Sequence, residues 1–163
     1  MKNWDIRSEI ILNKVVIIGA GAAGLMAGIA AAENGAEVTI LEKNDRAGKK
    51  IRITGKGRCN VTSAKSLDEH IKAFAHNGKF MYTPYSALSP EETYSFFEEA
   101  GVPLKVERGD RVFPQSDNAQ DIVDALVKKC ESLGAKIVYD KAVKTLLRSA
   151  EGELLGILCA DGE

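Results

Sequence analysis

Apolar residues fall along this chain in distinct patterns, each predicting a different element. Val15 to Ile18 is a short, unbroken, β-branched run ended by Gly19, the pattern of a strand buried on both faces. From Ala22 to Glu33 the residues are mostly Ala, Leu, Met and Ile, which favour helix, and Gly35 after Asn34 supplies a stop. Residues 37–41, "EVTIL", predict a second strand. Two strands joined through a helix by short connections make a βαβ unit, with parallel strands and a right-handed crossover. Residues 43–62 then lose periodicity and predict a long loop with a short extended piece at 51–54. A loop of that length inside a compact domain is usually either functional or a failed assignment of its elements.

Helical spacing returns further on. "SLDEHIKAF" opens with Ser66 as a cap and Glu69 three residues later, and "SPEETYSFFEEAG" has Ser89 as N-cap, Pro90 at N1, Glu92 at N3 and Gly101 past its end. "LKVERGDRVFP" predicts a hairpin turning at Gly109-Asp110, which is a simpler account of Arg108-Gly109-Asp110 than an adhesion motif. In "SDNAQDIVDALVKKCESLGA" Asp117 is the expected cap and Gln120 completes a capping box. Ala119, Ile122, Val123, Leu126, Cys130 and Leu133 form one apolar stripe there, which makes Cys130 a core thiol. "KIVYD" (136–140) predicts a third strand, the parallel neighbour of the first. "AVKTLLRS" and "ELLGILCA" predict two more, joined at Glu151-Gly152.

Charge and composition remove several function classes. The 163 residues hold 22 Lys plus Arg against 23 Asp plus Glu, a net charge of −1, so there is no overall electrostatic case for nucleic acid or an anionic membrane. Cys59, Cys130 and Cys159 form no CxxC pair, which points to reduced thiols in a cytoplasmic protein. With only His70 and His76 as histidines, no metal site is expected, and both read as surface residues of helical segments. Residues 1–13, "MKNWDIRSEIILN", read as an N-terminal extension, too charged for a signal peptide or anchor. Tyr82, Tyr85, Phe96 and Phe97 read as core or domain-contact residues.

The chemistry concentrates in "GAGAAG", residues 19–24, with Gly-x-Gly-x-x-Gly spacing. Gly19 permits the tight strand-to-helix turn, Gly21 lets a pyrophosphate approach the backbone, and Gly24 brings helix and strand together. Free N–H groups and the helix dipole can then hold phosphates without a charged side chain. The motif alone is weak evidence. Here a buried strand precedes it, a helix follows, and Glu42 ends the second strand, 18 residues past Gly24. A carboxylate there accepts both hydroxyls of an adenosine ribose and repels a 2′-phosphate, which argues against NADP at this site. The residues leave FAD and NAD both open; Gly28, extending the motif to GxGxxGxxxG, and the long basic loop lean toward FAD.

That loop carries Lys43, Arg46, Lys49, Lys50, Arg52, Lys56 and Arg58 against one acid, Asp45. Its "GKG" is no phosphate loop of the Walker type, because Lys56 is followed by Gly57 and no helix starts there. As a redox centre Cys59 lacks a partner cysteine, and as an RNA-binding patch the stretch from Asp45 to His70 lacks stacking aromatics.

"VVIIGAGAAGLMAGIAAAENGAEVTILEKNDRAGKKIRITGKGRCNVT" and then "RVFPQSDNAQDIVDAL" closely resemble the start of the aminoacetone-oxidase-like NAD(P)/FAD-dependent oxidoreductases, glutathione-reductase-like flavoproteins. The resemblance covers residues 14–163. It implies an α/β, Rossmann-like FAD-binding domain, a parallel sheet with a β-meander and a helical and hairpin insertion. It further implies that residues 14–163 are a partial, N-terminal piece, with a second FAD segment and a substrate domain absent. By the same resemblance Gly19, Gly21, Ala22, Ala23 and Gly24 line the FAD pyrophosphate, Glu42 and Lys43 the adenosine ribose, and Val143 the adenine. Lys50, Gly55, Gly57, Arg58, Cys59 and Asn60 then run beside the ribityl chain and flavin ring, where Arg58 and Lys56 are the candidates for stabilising the anionic reduced flavin.

The resemblance implies an oxidoreductase of a small organic substrate with FAD as cofactor, NAD(P)H as candidate electron donor and no protein nucleophile; its catalytic residues are unknown. A non-catalytic dinucleotide-binding module and a flavin-dependent RNA-modifying enzyme are the alternatives. Strand edges exposed by truncation would favour self-association. Purified alone, the chain is expected to leave gel filtration without stoichiometric flavin and to show no turnover; a yellow protein peak refutes this.

Overall fold

The computed structural model describes residues 13–162. Most of the N-terminal extension, residues 1–12, lies outside them. Strand β1 (Lys14–Ile18), helix α1 (Ala22–Glu33) and strand β2 (Glu37–Leu41) form the expected βαβ unit, with Lys14 opposite Glu37 and Ile18 opposite Leu41. Gly24 and Gly28 lie on the face of α1 that meets the sheet. A Cβ on Gly24 would overlap the carbonyl oxygen of Gly19, and one on Gly28 would stand 2.7 Å from Ile40 Cδ1. The glycine spacing is therefore a packing requirement before it is a binding one.

Strand β6 (Lys136–Val138) pairs in parallel with β2, so the sheet order is β1-β2-β6. This corrects the expectation that "KIVYD" neighbours the first strand. The reason is handedness: two successive right-handed crossovers running in one direction keep both helices on the same face. Helix α5 (Ala119–Ser132) indeed lies against α1, with Cys130 Sγ donating to Leu25 O at 3.4 Å and Lys129 pairing with Glu33 at 3.1 Å. With both helices on one face, β1 is not buried on both sides as expected: Val16 and Ile18 are exposed while Val15 and Ile17 are half-buried. Central β2 carries the buried Val38, Ile40 and Leu41.

The loop after β2 holds more structure than its sequence suggests. Residues Ile51–Gly57 form 3-10 turns, not an extended piece. Ile51 turns into the core, and the turns break at Gly55 (φ 54°) and Lys56 (φ 58°), where left-handed backbone excludes a strand. A two-residue strand β3 (Thr62–Ser63) follows and joins a second, antiparallel sheet of order β3-β5-β4. Strands β4 (Leu104–Glu107) and β5 (Arg111–Pro114) are the expected hairpin, turning with Gly109 and Asp110 both at positive φ, as a tight hairpin turn requires.

Helix α2 (Leu67–Ala73) and helix α4 (Pro90–Glu99) begin at the expected capping boxes, Ser66 with Glu69 and Ser89 with Glu92. Between them lie a 3-10 turn, Gly78–Met81, and a short helix α3 (Tyr82–Ala87). Helix α5 is capped by Asn118, whose side chain accepts from Gln120 N, and not by Asp117; Asp117 sits one residue earlier at φ 56° with its carboxylate in an ion cluster. Its apolar stripe is buried as expected, Leu133 only partly, and Cys130 is wholly enclosed. Strands β7 (Val143–Arg148) and β8 (Leu154–Cys159) close an antiparallel pair. Among the described residues, no helix is long and apolar enough to cross a membrane.

Adding one methyl group separates the two packing glycines. Gly24→Ala should lower stability by about 3 kcal/mol or more, because its neighbour is backbone that cannot move aside. Gly28→Ala should cost about 1 kcal/mol, since the end of Ile40 can turn away. Urea unfolding of the two variants measures the difference.

Candidate dinucleotide site

The site starts where β1 becomes α1. Gly19 takes φ 101° and its N–H donates to Leu41 O at 2.7 Å, closing the turn against the end of β2. Gly21 is the N-cap residue and offers no side chain, and the first turn of α1 contains no acid. The opening N–H groups of this twelve-residue helix thus face outward with no side-chain acceptor and with the dipole's positive end behind them. No atom lies within 4 Å of where a Cβ on Gly21 would stand, so the backbone is open to close approach.

Glu42 ties this turn to the second strand. Its side chain is 7 % exposed; Oε2 accepts from Ala20 N at 2.8 Å and Oε1 from Asn44 N at 2.9 Å and from the Asn44 side chain. Burial pushes this carboxyl up. The hydrogen bonds from Ala20 and Asn44, with the charge of Lys43, outweigh burial and hold its pKa below the ordinary 4.5. The carboxylate is therefore anionic, fixed in direction, and keeps one acceptor site, on Oε2, for a further donor.

Two cavities flank the glycine turn and share Ile18, Gly19, Gly21 and Lys50 along it. The polar one, about 420 Å³, is bordered by Glu42, Lys43, Asn44, Lys49, Lys141 and Val143. The apolar one, about 600 Å³, is bordered by Ala22, Ala23 and Gly24, by Ile51, Thr54, Cys59 and Asn60, and by Thr93, Phe96 and Phe97 of α4. The first suits a ribose and base beside a cationic rim. The uncapped helix start suits a diphosphate, and the second cavity a flat apolar ring system. This donor set fits a dinucleotide of the FAD type.

Of the residues expected at the site, Gly19, Gly21, Ala22, Ala23, Gly24, Glu42, Lys43, Lys50, Cys59, Asn60 and Val143 do border the cavities. Gly55, Gly57, Lys56 and Arg58 do not. Arg58 turns away from the cavities, donating to Glu107 at 2.8 Å and Asp117 at 3.3 Å with its guanidinium 4.1 Å above the Phe113 ring. Gly55 backs onto Phe113 instead. The Cys59 thiol is buried and pushed up by that burial against an opposing hydrogen bond with Thr54, so it is a neutral wall rather than an activated thiolate. Sequence reasoning missed Asn44, Lys49, Lys141 and the α4 residues. Asn44, directly after the Glu42-Lys43 pair, was the one with a local signal.

Residues 13–161 match the HI0933-like protein Rossmann domain. The chain belongs to this family. The family resemblance and the Rossmann-like α/β class read from the sequence both hold. Among curated relatives, a 3-dehydro-bile acid delta(4,6)-reductase of Clostridium scindens is 35 % identical over 157 residues, covering 93 % of this chain and 36 % of that protein. A ribosomal RNA dihydrouridine synthase of Haemophilus influenzae is 29 % identical over 138 residues, covering 85 % and 34 %. The chain thus spans about a third of the length of these relatives. Among solved structures, a 3-ketosteroid-delta4-(5alpha)-dehydrogenase from Rhodococcus jostii superposes with a TM-score of 0.68 at 22 % identity, covering 97 % of this chain and 43 % of that one. That likeness establishes the shared fold.

Replacing Glu42 should be felt in stability even without ligand. Glu42→Ala strands the buried Ala20 N–H and should cost about 1–3 kcal/mol. Because the folded pKa of Glu42 is depressed, its contribution is fully present above pH 4.5 and lost as pH falls through the folded value. The stability gap between wild type and Glu42→Gln should therefore narrow as denaturant midpoints are followed below pH 4.5; a constant gap contradicts the assignment.

Proposed function

We propose that this chain forms the cofactor-holding part of a flavin-dependent reductase that adds hydrogen across a carbon–carbon double bond of a small organic substrate. The observation that carries the reading is the pair of cavities meeting at the glycine turn, ordered as carboxylate, uncapped helix start and apolar wall, from Glu42 and Val143 to Cys59 and Asn60. An extended FAD requires donors and acceptors in that order. Bound FAD would supply the hydride or electron-pair transfer.

The residues of this chain hold and orient it. Glu42 accepts from one ribose hydroxyl through the free site on Oε2 and disfavours a 2′-phosphate, so NADPH, if it is the electron donor, docks elsewhere. The N–H groups from Gly21 to Gly24 take the pyrophosphate, with Lys50 as the cation at the junction of the two cavities. Cys59, Asn60 and Ile51 wall off water from one side of the ring. The substrate class rests on two relatives whose names describe reduction of an unsaturated ring, in a bile acid and in uridine.

A second reading takes RNA as the substrate. It is favoured by the dihydrouridine synthase relative and by Phe74, Phe80 and Tyr82, which are exposed on a segment carrying Lys72 and Lys79. Tyr82, expected in the core or at a domain contact, is thus not a core residue.

Absorbance of the purified full-length protein tests both. It should show flavin bands that NADH or NADPH bleaches anaerobically, and an α,β-unsaturated ketone should restore them. Restoration by unmodified ribosomal RNA alone selects the second reading. Flavin that is never bleached leaves a non-catalytic module, and a colourless protein refutes all three.

A further inference from the structure

Arg58 stands one residue before Cys59, which borders the apolar cavity, yet its half-buried side chain runs away from that cavity toward the β4–β5 hairpin. Its Nη1 joins Glu107 of β4 at 2.8 Å and Asp117, in the lead-in to α5, at 3.3 Å. Lys105 holds the other oxygen of Asp117 at 2.7 Å, and the guanidinium covers the face of Phe113 in β5 at 4.1 Å. One planar group therefore fastens three segments of the chain: the wall segment, the β4–β5 hairpin and the start of α5. Two carboxylates facing Arg58 and Lys105 leave the cluster with no net charge to project toward the cavity. The peptide it fastens is one that the chain resists, because Lys56 and Cys59 take φ 58° and 63°. Such left-handed non-glycine residues persist only where their surroundings hold them.

We propose that Arg58 is a positioning residue, a latch that presses the Cys59–Asn60 turn onto the cofactor cavity and acts on the flavin through the place of that wall, not through its own charge. This rests on the cavity holding a flavin, as argued above, and it replaces the direct flavin contact expected from the sequence.

The two roles differ in sign. If Arg58 worked by charge, neutralising Glu107 and Asp117 would free its positive charge toward an anionic cofactor, so FAD would bind as well or better and the flavin would become easier to reduce. A latch loses its anchor instead. In the full-length protein stripped of flavin and titrated with FAD, the Glu107→Gln/Asp117→Asn double variant should bind about tenfold more weakly. Arg58→Gln should lose a similar factor, and the triple variant no more than Arg58→Gln alone. Arg58→Lys, which keeps the charge and loses the planar group stacked on Phe113, should resemble Arg58→Gln, and the reduction potential of the remaining bound flavin should not rise in the double variant. Wild-type affinity in the double variant, wild-type affinity in Arg58→Lys, or additive losses overturn the latch. If Arg58→Gln does not fold, the double variant and Arg58→Lys still decide. If wild type takes up no FAD, the functional reading fails on its own; the latch is then judged by ligand-free thermal unfolding of the same set, where additive destabilisation overturns it.

Discussion

The close approach of α1 to the turn that feeds it is the constraint on which the rest of the structure depends. A Cβ at Gly24 would overlap the Gly19 carbonyl, so the helix can lie where it does only with hydrogen at that position. That placement aims the start of α1 at the space beside β1 and leaves its first N–H groups without side-chain partners. It also brings Ala20 N within 2.8 Å of the Glu42 carboxylate, so the same contact that packs helix on strand sets the distance between the uncapped helix start and that carboxylate. Packing and binding are one geometry here, which is why a glycine pattern can be read for both.

The basic stretch after β2 divides by side-chain chemistry. Its arginines at 52 and 58 turn toward the protein: Arg52 donates to Gln120 of α5 at 2.6 Å and to the Ala47 carbonyl, and Arg58 to the acids around the hairpin. Its lysines at 43, 49 and 50 border the polar cavity. A planar guanidinium with several fixed donors is suited to riveting a loop that has little periodic structure. An ammonium on a flexible stem is suited to a hydrated, anion-facing rim. Five of the seven positive charges in this loop thus divide between two jobs, while Arg46 pairs with Asp45 at the surface, and a count of charge could not separate them.

Several features were legible because their causes are local. The βαβ unit rests on a β-branched run, a helix-forming run and a glycine turn. The starts of α2 and α4 rest on Ser66 with Glu69 and Ser89 with Glu92, and the amphipathic stripe of α5 rests on 3.6-residue spacing. Glu42 was legible because its position follows from the length of the unit. The misreadings all involve partners distant in sequence. Strand β6 chose β2 because α5 had to share a face with α1. Asp117 gave up the cap to Asn118 and joined Arg58 and Lys105, and the 51–57 turns formed around a buried Ile51.

By itself, then, the sequence determined the kind of fold, the location of the glycine turn and the acid that faces it, since each follows from backbone sterics and spacing within about thirty residues. Only the tertiary structure decided which edge β6 takes, that α4 supplies part of the apolar cavity, and that the Arg58 guanidinium serves the hairpin rather than the cavity. Those outcomes depend on which distant surfaces meet, and the direction of a long side chain at such a junction is set by the charges that arrive from elsewhere. The stretch around Cys59 and Asn60 resembles the family in its letters, but its place beside the apolar cavity is a property of the hairpin and helix that hold it.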